Sequence, residues 1–323
     1  MLSAKIPVPN PEGLANGTQT AAQKPISAPE TAIETPKLYR MGDLLGQWEK
    51  DAFESHSAFT ENRPRGPVSG LSSLDRDLGG ALSPGLHILH GAPGTGKTAF
   101  GMQVAASCGV PSLFVTCEMS ALELLRRHTA RITGTFLGRL KTGELSPEQS
   151  LTLARRAVAA TPDLVLLDAT RAPASFEFLR DCSRIMQENI RQSKAAPSSF
   201  LIVVDSLHSW VEGAWPGSQE YEALNFGLAH LRRLAHDINA PLLLLCERNR
   251  ESMKNGGQSA GAGTRKIEYG AETVIELESD QNIIPNVKGE KVVTVRLSKN
   301  RHGTAGGKTE LLFNGALQSF TPT

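Results

Sequence analysis

The most informative segment of this sequence is Gly91-Ala92-Pro93-Gly94-Thr95-Gly96-Lys97-Thr98, which fits the pattern G-x-x-x-x-G-K-[ST] and is called the P-loop below. An apolar run, Leu86–His90, comes before it, and an amphipathic segment, Ala99–Ser107, comes after it. A glycine-rich turn between a buried strand and a helix lets backbone N–H groups surround phosphates. Lys97 is then expected to neutralise the β- and γ-phosphates, and Thr98 to bind Mg²⁺. The sequence therefore predicts a nucleotide site formed by Gly91, Pro93, Gly94, Thr95, Gly96, Lys97 and Thr98.

Two acidic residues follow other apolar runs and extend this predicted site. Asp205 closes the run Phe200–Val204, where a buried strand end rarely tolerates an unpaired charge, so we expect it on the magnesium side of the P-loop. Glu118 follows Leu113–Cys117 and is suited to orient or deprotonate an attacking water. Each has a plainer interpretation. Asp205 could be an ordinary strand-end acid or helix cap, and Glu118 an acid near the start of the helix that Ser120 opens.

Strand and helix patterns alternate from Leu71 onward. Helical patterns include two predicted capping boxes, which begin at Ser120 and Ser146, and an apolar helix face that ends at Asn239. Five short apolar runs are typical of strands buried on both faces: Leu86–His90, Leu113–Cys117, Leu164–Leu167, Phe200–Val204 and Leu242–Cys246. This alternation predicts an α/β fold with a mainly parallel central sheet flanked by helices. Three close-set patterns are expected to add antiparallel C-terminal strands: Thr273–Leu277, Val292–Leu297 and Thr309–Phe313.

The beginning of the chain has a different composition from the rest. Residues 1–36 hold six of the 19 prolines and no aromatic residue, so they are predicted to be a disordered tail. An amphipathic linker helix is predicted over residues 37–58, and a polar linker over residues 59–70 leads to the main domain, residues 71–323. The apolar stripe of the helix consists of Leu38, Met41, Leu45, Trp48 and Ala52. It could pack on its own domain or on another subunit.

Charge composition limits the classes of function that fit the chain. The sequence has 34 Lys and Arg against 33 Asp and Glu, for a net charge of +1, whereas a protein that clamps nucleic acid electrostatically usually has a clear basic excess. Any contact with nucleic acid is therefore expected to depend on a local basic feature. Apolar runs are too short to span a bilayer, so we expect a cytoplasmic protein without membrane contact. The widely spaced cysteines are predicted to be buried thiols: Cys108, Cys117, Cys182 and Cys246.

Six elements of the sequence, taken in order, resemble the RecA-like ATPase domain of DnaB-type replicative helicases. They are Gly70-Leu71-Ser72-Ser73-Leu74-Asp75 with Gly79-Gly80, the P-loop, Cys117-Glu118-Met119-Ser120, Val204-Asp205-Ser206, Asn249-Arg250, and Lys299-Asn300-Arg301-His302-Gly303. The resemblance runs from Gly66 to the C-terminus. RadA-type recombination ATPases share the last element and are close rivals.

The resemblance implies a ring, usually a hexamer, with ATP bound between subunits. Arg301 would be the arginine finger and Lys299 its companion, both directed at the γ-phosphate of the neighbour's nucleotide. Without the family, both residues would be interpreted as a solvated β-hairpin tip. The family also has a helix ahead of the ATPase domain that docks on the adjacent subunit, and residues 37–58 are the candidate for that role.

The sequence departs from the family pattern at two places. We expect no counterpart of the family's N-terminal helical domain, with the proline-rich segment in its place, so a collar or primase-binding role is not implied and any protein partner of the tail is unknown. Glu247 occupies a position where the family usually has a glutamine that senses γ-phosphate. A carboxylate repels a phosphate unless it is paired, and Arg248 or Arg250 could pair with it. Hydrolysis is then expected to be slow or differently coupled.

Two loops of a RecA-like ring would face DNA in the central channel. The loop after Asp205 is poorly suited, because no Lys or Arg occurs between Ala195 and Leu231. Trp210 and Trp215 could stack on bases, although core or interface packing is the simpler interpretation.

The second loop, residues 251–266, is rich in Gly and Ser, and it could follow a phosphate backbone through Lys254, Arg265 and Lys266. A plain flexible loop is an equal alternative. A further basic cluster follows Glu118 and is interpreted as a solvated helix face: Arg126, Arg127, His128 and Arg131.

Two functions therefore fit the sequence. The leading hypothesis is a ring-forming ATPase that hydrolyses ATP with Mg²⁺ and moves on single-stranded DNA as a DnaB-type helicase or translocase. The alternative is a nucleotide-switched regulatory or assembly ATPase of the RecA/RadA-like group without helicase activity. Near-neutral charge, the unbasic first loop and Glu247 favour the alternative.

Overall fold

The computed structural model describes residues 37–192, 199–247, 268–279 and 285–323. The chain divides into two units, one that ends at Arg63 and one that runs from Pro64 to Thr323. In the described part of the first unit, a 3-10 turn at Met41–Leu44 leads into helix α1, Leu45–Thr60. The α-helix therefore begins later than the predicted range 37–58, because the residues ahead of the turn are not helical.

Helix α1 exposes most of its apolar side chains. Ala58 is buried, whereas Trp48 is 75% exposed and Phe59 is 84% exposed. The exposed apolar side chains of this unit include Leu38, Met41, Leu45, Trp48, Phe53 and Phe59. Exposed apolar stripes of this kind are typical of interaction surfaces.

The second unit is built on one mixed β-sheet. The strands are β1 (Gly85–Gly91), β2 (Ser112–Thr116), β3 (Leu164–Asp168), β4 (Leu201–Asp205), β5 (Pro241–Glu247), β6 (Thr273–Glu278), β7 (Glu290–Asn300), β8 (Lys308–Asn314) and β9 (Ser319–Pro322). Across the described ranges, their order in the sheet is β3-β2-β4-β5-β1-β6-β7-β8-β9. Neighbours from β3 to β6 are parallel, and β7, β8 and β9 are added antiparallel. This is the α/β fold class that the sequence predicts.

The pairing of β6 corrects one prediction. The sequence predicts an antiparallel strand at Thr273–Leu277, but β6 is parallel to β1 and antiparallel only to β7. A short apolar run carries no information about strand direction, and the long connection from β5 permits the parallel return that a hairpin excludes. Strand β9 was not predicted, because four residues are too few to show a period.

Helices cover both faces of the sheet. They are α2 (Ser72–Asp77), α3 (Lys97–Ser107), α4 (Ala121–Thr133), α5 (Pro147–Ala160), α6 (Phe176–Gln192), α7 (Leu207–Ala214) and α8 (Glu220–Asp237). One apolar cluster lies between the sheet and α6, α7 and α8, and includes Leu179, Trp210 and Leu231. The other joins α2, α3 and α4 to the opposite face and takes side chains from β7, β8 and β9. Because both faces are buried, the central strands are mainly apolar, with a few buried polar residues such as His87 and His90 of β1.

Two predicted helix starts have different outcomes. Ser146 and Gln149 form a complete capping box at α5. At α4, Ser120 Oγ accepts a hydrogen bond from the Glu123 N–H, so the cap is confirmed. The Glu123 carboxylate, however, binds Arg127 and Lys141 instead of closing the box.

Burial corrects several interpretations of single side chains. Cys108 and Cys246 are buried as predicted, but Cys117 and Cys182 are partly exposed. The basic cluster of α4 is not a solvated face, because His128 is 3% exposed and is bonded through Nε2 to Thr161 Oγ1. Burial also lowers the pKa of Arg131, another member of that cluster.

Trp210 belongs to the core, and the partly buried Trp215 packs against it. Trp210 is 2% exposed, and its Nε1–H donates to the Ala174 carbonyl oxygen. Trp215 packs edge-on against Trp210, with ring centroids 5.4 Å apart. Among the described residues, no helix has the length and apolar character needed to cross a membrane.

Candidate functional site

Sheet topology brings several predicted site residues to one edge. The P-loop begins at the last residue of β1, Asp205 ends β4, Glu247 ends β5, and Glu118 follows closely after β2. These four strands are parallel neighbours in the order β2-β4-β5-β1, so their carboxyl ends meet at the same edge. The register pairs Gly91 with Glu247, and Asp205 with Thr116 of β2.

The P-loop folds closely on itself at this edge. Lys97 Nζ donates to the carbonyl oxygens of Gly91 at 2.9 Å and Ala92 at 3.3 Å. Thr95 Oγ1 donates to the same Ala92 oxygen at 2.8 Å. Helix α3 begins at Lys97, so its first backbone N–H groups and the ammonium group lie together. Carbonyl oxygens bind an ammonium group less strongly than phosphate oxygens do, so Lys97 is available to an anion.

Gly96 is required by the surroundings of the P-loop. Its φ is 92°, in the left-handed region, and a β-carbon there would lie 2.9 Å from the rings of Phe313 and Phe320. These rings stack with centroids 4.5 Å apart, and Phe100 of α3 meets Phe320 edge-on. Strands β8 and β9 therefore support the P-loop from behind.

Asp205 is a buried acid with an unsatisfied oxygen. It is 2% exposed, and desolvation raises the pKa of Asp205 to about 6; the hydroxyl of Thr98 and the charges of Lys97 and Arg127 oppose the shift, while Glu118 adds to it. Asp205 Oδ2 has no hydrogen-bond partner in the described part of the chain. A buried carboxylate oxygen without a donor fits a cation.

The donor set around Asp205 fits magnesium in particular. Thr98, the predicted second ligand, is hydrogen-bonded to Asp205. Across the described ranges there is no group of three or more His, Cys, Asp or Glu that could hold a metal on its own. Mg²⁺ in nucleotide sites is held by one or two protein oxygens together with phosphates and water, which is the arrangement these two residues allow.

Glu118 is held by two serines that the sequence interpretation missed. Its Oε1 accepts hydrogen bonds from Ser206 Oγ at 2.5 Å and Ser209 Oγ at 2.9 Å. Ser206 follows Asp205, so its position alone could have suggested a role. Ser209 lies in the first turn of α7, and its contact depends on how the chain turns from β4 into that helix.

Arg127 is a second residue that the sequence interpretation missed. Its charge lowers the pKa of Asp205, which desolvation raises. Its Nε donates to Glu123 at 3.2 Å and its Nη1 donates to Gln318 at 2.9 Å. Arg127 lies three residues after Leu124, which is fully buried, so the helical period places it on the side of α4 that faces the domain.

The predicted finger residues lie at the opposite edge of the sheet. Through β6, the register places Gly91 level with Val295 of the antiparallel strand β7. Arg301 comes six residues after Val295, a displacement of about 20 Å along the strand direction. An arginine side chain is much shorter than this, so Arg301 and Lys299 do not reach the P-loop of their own chain.

Both finger residues are anchored where they lie. Lys299 Nζ donates to the carbonyl oxygens of Glu268 at 2.7 Å and Tyr269 at 3.1 Å. Burial, followed by the charge of Arg301, lowers the pKa of Lys299. Arg301 donates through Nη1 to Glu272 and through Nη2 to the Tyr269 oxygen. Arg301 is therefore exposed in the connection between β7 and β8, as the plainer interpretation expects, but neither side chain is without contacts.

Comparison with known proteins agrees with this geometry. A family model described as the DnaB-like helicase C-terminal domain matches residues 66–322. The chain belongs to this family. The replicative DNA helicase DnaB of Haemophilus influenzae is 23% identical over 277 residues, which cover 83% of this chain and 56% of that protein. The replicative DNA helicase DnaB of Geobacillus stearothermophilus is 23% identical over 252 residues, 75% of this chain and 53% of that protein.

A solved structure shows the same fold. It is described as a DnaB-like replicative helicase and its interactions with primase, and it matches with a TM-score of 0.69 at 17% identity, over 88% of this chain and 67% of that one. The fold of the second unit is therefore that of a RecA-like DnaB ATPase domain. The chain spans about half the length of the curated relatives described above.

Some predicted site residues of this DnaB-like domain lie outside the described residues. They are the possible DNA contacts Lys254, Arg265 and Lys266 and the possible partners of Glu247, Arg248 and Arg250. Glu247 itself is exposed at the end of β5.

Proposed function

We propose that this chain is the ATP-hydrolysing motor domain of a ring-forming DnaB-type helicase that moves on single-stranded DNA. The observation that supports this proposal is that the predicted phosphate-binding residues and the predicted finger residues lie at opposite edges of the sheet. The P-loop, Glu118 and Asp205 are at one edge of the sheet, and Lys299 and Arg301 are at the other. A second copy can supply the missing cations, and head-to-tail contacts of this kind close into rings. Family membership favours a hexamer.

Each residue has a distinct role in the proposed reaction. Lys97 and the N–H groups at the start of α3 bind the phosphates, while Thr98 and Asp205 hold Mg²⁺. Bound Mg²⁺-ATP supplies the γ-phosphoryl group and part of the charge neutralisation. Glu118 orients the attacking water and accepts its proton.

The neighbouring copy completes the reaction site. Its Arg301 and Lys299 neutralise the negative charge that develops on the γ-phosphate. We also propose that the exposed apolar stripe of α1 docks on the adjacent subunit, as the family resemblance implies. Burial of that stripe would stabilise the ring through the hydrophobic effect.

DNA contact is proposed for the loop of residues 251–266. Its Lys254, Arg265 and Lys266 would bind the phosphate backbone. The burial of Trp210 argues against base stacking at the first loop, so affinity for DNA would come mainly from charge. A protein partner for residues 1–36 also belongs to this proposal.

A second candidate function is a nucleotide-switched regulatory ATPase. A cavity of about 330 Å³ between α7 and α8 is lined by Glu212, Glu220, Trp215 and His208, among others, with no Lys or Arg among its lining residues. This element follows Asp205 directly, where a DNA motor would benefit from cations. Glu247 at the sensor position favours the same alternative.

ATP hydrolysis by a Lys97→Ala variant tests the first step. We expect loss of activity, whereas Lys308→Ala, which removes an exposed lysine on β8, keeps it. Full activity of Lys97→Ala contradicts the proposed function.

Stimulation by single-stranded DNA separates the two candidates. For the helicase, DNA stimulates hydrolysis at low salt, and the stimulation falls steeply as salt rises because phosphate contacts release counterions. If an assembled ring hydrolyses ATP without any stimulation at low salt, the regulatory function replaces the helicase.

A further inference from the structure

Glu272 holds Arg301 by both its side chain and its backbone. Glu272 Oε1 accepts from Arg301 Nη1 at 3.1 Å, and the Glu272 carbonyl oxygen accepts from the Arg301 N–H at 3.0 Å. The second carboxylate oxygen, Oε2, is 3.0 Å from Nε2 of His302. Two consecutive residues of the Lys-Asn-Arg-His segment are therefore fixed by one acid.

Glu272 is itself held firmly by β1. Its side chain is 13% exposed, and its N–H donates to the Leu86 carbonyl oxygen at 2.7 Å. A β-carbon at Gly85 would lie 2.7 Å from Glu272 Cγ, so the absence of a side chain at Gly85 makes room for the acid. Gly85 also has a φ of 129°, which L residues rarely adopt. The acid therefore lies in a slot that the sheet provides.

The guanidinium group of Arg301 is held on one side and open on the other. Its second contact, Nη2 to the Tyr269 carbonyl oxygen, is 2.9 Å long, and its side chain is 42% exposed. A guanidinium group has five N–H donors, so these two contacts leave donors for a phosphate. A flexible arginine would have to lose rotamer freedom at the moment of reaction, whereas a held one has already lost it.

We propose that Glu272 is a positioning residue that orients Arg301 for the nucleotide bound by the neighbouring copy. The inference rests on the proposed function, because it requires Arg301 to act on the phosphate of another copy. Glu272 acts through Arg301 and does not contact the nucleotide. Arginine stays protonated beside a carboxylate, so the acid fixes the direction of the charge without removing it.

The first experiment compares Glu272, which immediately precedes β6, with Glu278, the last residue of that strand. Glu272→Gln is expected to lower kcat about tenfold to 100-fold, as expected for a misplaced reacting group, and to leave the KM for ATP nearly unchanged, because the P-loop is at the other edge. Glu278→Gln is the matched control. Glu278 of β6 pairs with Arg296 of β7 at 3.7 Å, away from Arg301. Its removal is expected to leave kcat unchanged.

A conservative variant guards against a folding defect. Glu272→Asp keeps the carboxylate on a shorter side chain, so it is expected to fold and to recover part of the lost kcat. If Glu272→Gln and Glu278→Gln have the same kcat as the unmodified chain, Glu272 does not position the finger. A kcat above that of the unmodified chain also overturns the inference, because the acid would then restrain Arg301.

The second experiment tests whether the defect is repaired by a neighbour. Glu272→Gln chains have an intact P-loop and a misplaced finger, whereas Lys97→Ala chains have an inactive P-loop and an intact finger. In mixed rings, a Lys97→Ala chain can place its intact Arg301 beside the nucleotide bound by a neighbouring Glu272→Gln chain. Hydrolysis per Glu272→Gln chain is expected to rise as Lys97→Ala chains are added. A local folding defect in the Glu272→Gln chain is not repaired in this way.

Arg301→Ala in the same mixing experiment separates the positioning role of Glu272 from the proposed action of Arg301 on a neighbouring copy. If Lys97→Ala chains restore Arg301→Ala but not Glu272→Gln, the positioning role is wrong and the proposed function stands. If they restore neither variant, Arg301 does not act on a neighbour and the proposed function is contradicted as well. Recovery of both variants supports both.

Discussion

At the P-loop edge of the sheet, buried Asp205 has an oxygen without a hydrogen-bond partner in the described residues, whereas at the opposite edge both oxygens of Glu272 have a nitrogen partner. Lys97 likewise contacts only loop carbonyl oxygens in the hydrogen bonds described, while Arg301 has a carboxylate and a carbonyl. One edge therefore has charged groups that a ligand would satisfy. At the other edge, both oxygens of Glu272 are paired and Arg301 is held on one side. The difference indicates that a bound nucleotide and cation would supply the contacts missing at the P-loop edge, whereas the side chain of Arg301, at the opposite edge (the finger edge), is already oriented by contacts within its own chain.

Removal of the finger is expected to give the largest effect. Arg301→Ala should lower kcat about 1,000-fold, the lower end of the range for arginine fingers, with little change in ATP affinity. Steady-state hydrolysis and fluorescent-nucleotide binding measure the two quantities separately. Arg296→Ala, on β7 and five residues before Arg301, is the control. A parallel loss of ATP affinity would contradict the assignment of the two edges to separate steps.

Glu118→Gln tests the other edge. Loss of the water-activating acid is expected to lower kcat about 100-fold, with ATP still bound, because general-base catalysis contributes about that much or more. Glu144→Gln removes an exposed acid whose described ion pair is with Arg139, and it should have no effect. If Glu118→Gln hydrolyses ATP at the unmodified rate, Glu118 has no role in catalysis and is only an acid near the start of α4.

The finger edge is expected to lose stability in acid through His87. Burial lowers the pKa of His87 to about 4 from its ordinary 6.5, so the folded chain keeps it neutral while the unfolded chain protonates it. Its stabilising contribution is complete above pH 6.5 and is lost as the pH falls toward 4. At pH 5 the loss is about 2 kcal/mol. Urea denaturation at pH 7.5 and pH 5 measures it.

The matched variant for this prediction is His87→Gln. His87 bonds Thr273 Oγ1 through Nδ1 and the Ser83 carbonyl oxygen through Nε2, so the variant is less stable at neutral pH, but it should lose less stability on acidification. His56→Gln, at an exposed position on α1, should follow the unmodified chain. If His87→Gln and the unmodified chain lose the same free energy of unfolding between the two pH values, the prediction fails.

Ser209→Ala is expected to have the smallest effect. It removes one of the two hydroxyl donors to Glu118, a hydrogen bond worth about 1 kcal/mol, so kcat should fall about fivefold. Ser209→Thr keeps the hydroxyl group and should retain most of the rate. An equal rate for Ser209→Ala and the unmodified chain would show that Ser206 alone holds the acid.

Local and topological rules account for what the sequence predicted correctly. The P-loop is a contiguous motif, so its residues are found together whatever the fold. Asp205 and Glu118 were located because parallel strands end at one edge. The apolar pattern of β6 does not show whether the strand runs parallel or antiparallel to its neighbours, so its parallel pairing with β1 could not be predicted in this way.

The missed residues depend on cross-strand register and helix rotation. Glu272 meets Arg301 only because β7 runs back along β6. Ser209 meets Glu118 only because the first turn of α7 lies beside the residues that follow β2. Arg127 belongs to a basic run whose composition suggests a solvated surface. Periodicity indicates which face of an element is apolar but does not identify the partner that an individual polar side chain finds.

The aromatic support behind Gly96 has a consequence for synthesis on the ribosome. The P-loop leaves the ribosome long before Phe313 and Phe320, which pack against it, and before β9, whose Phe320 backbone is held at both N–H and C=O by Gln103 of α3. A nascent chain therefore carries the phosphate-binding motif without the surface that fixes its shape. We expect the P-loop to reach its folded shape only after β8 and β9 have been synthesised.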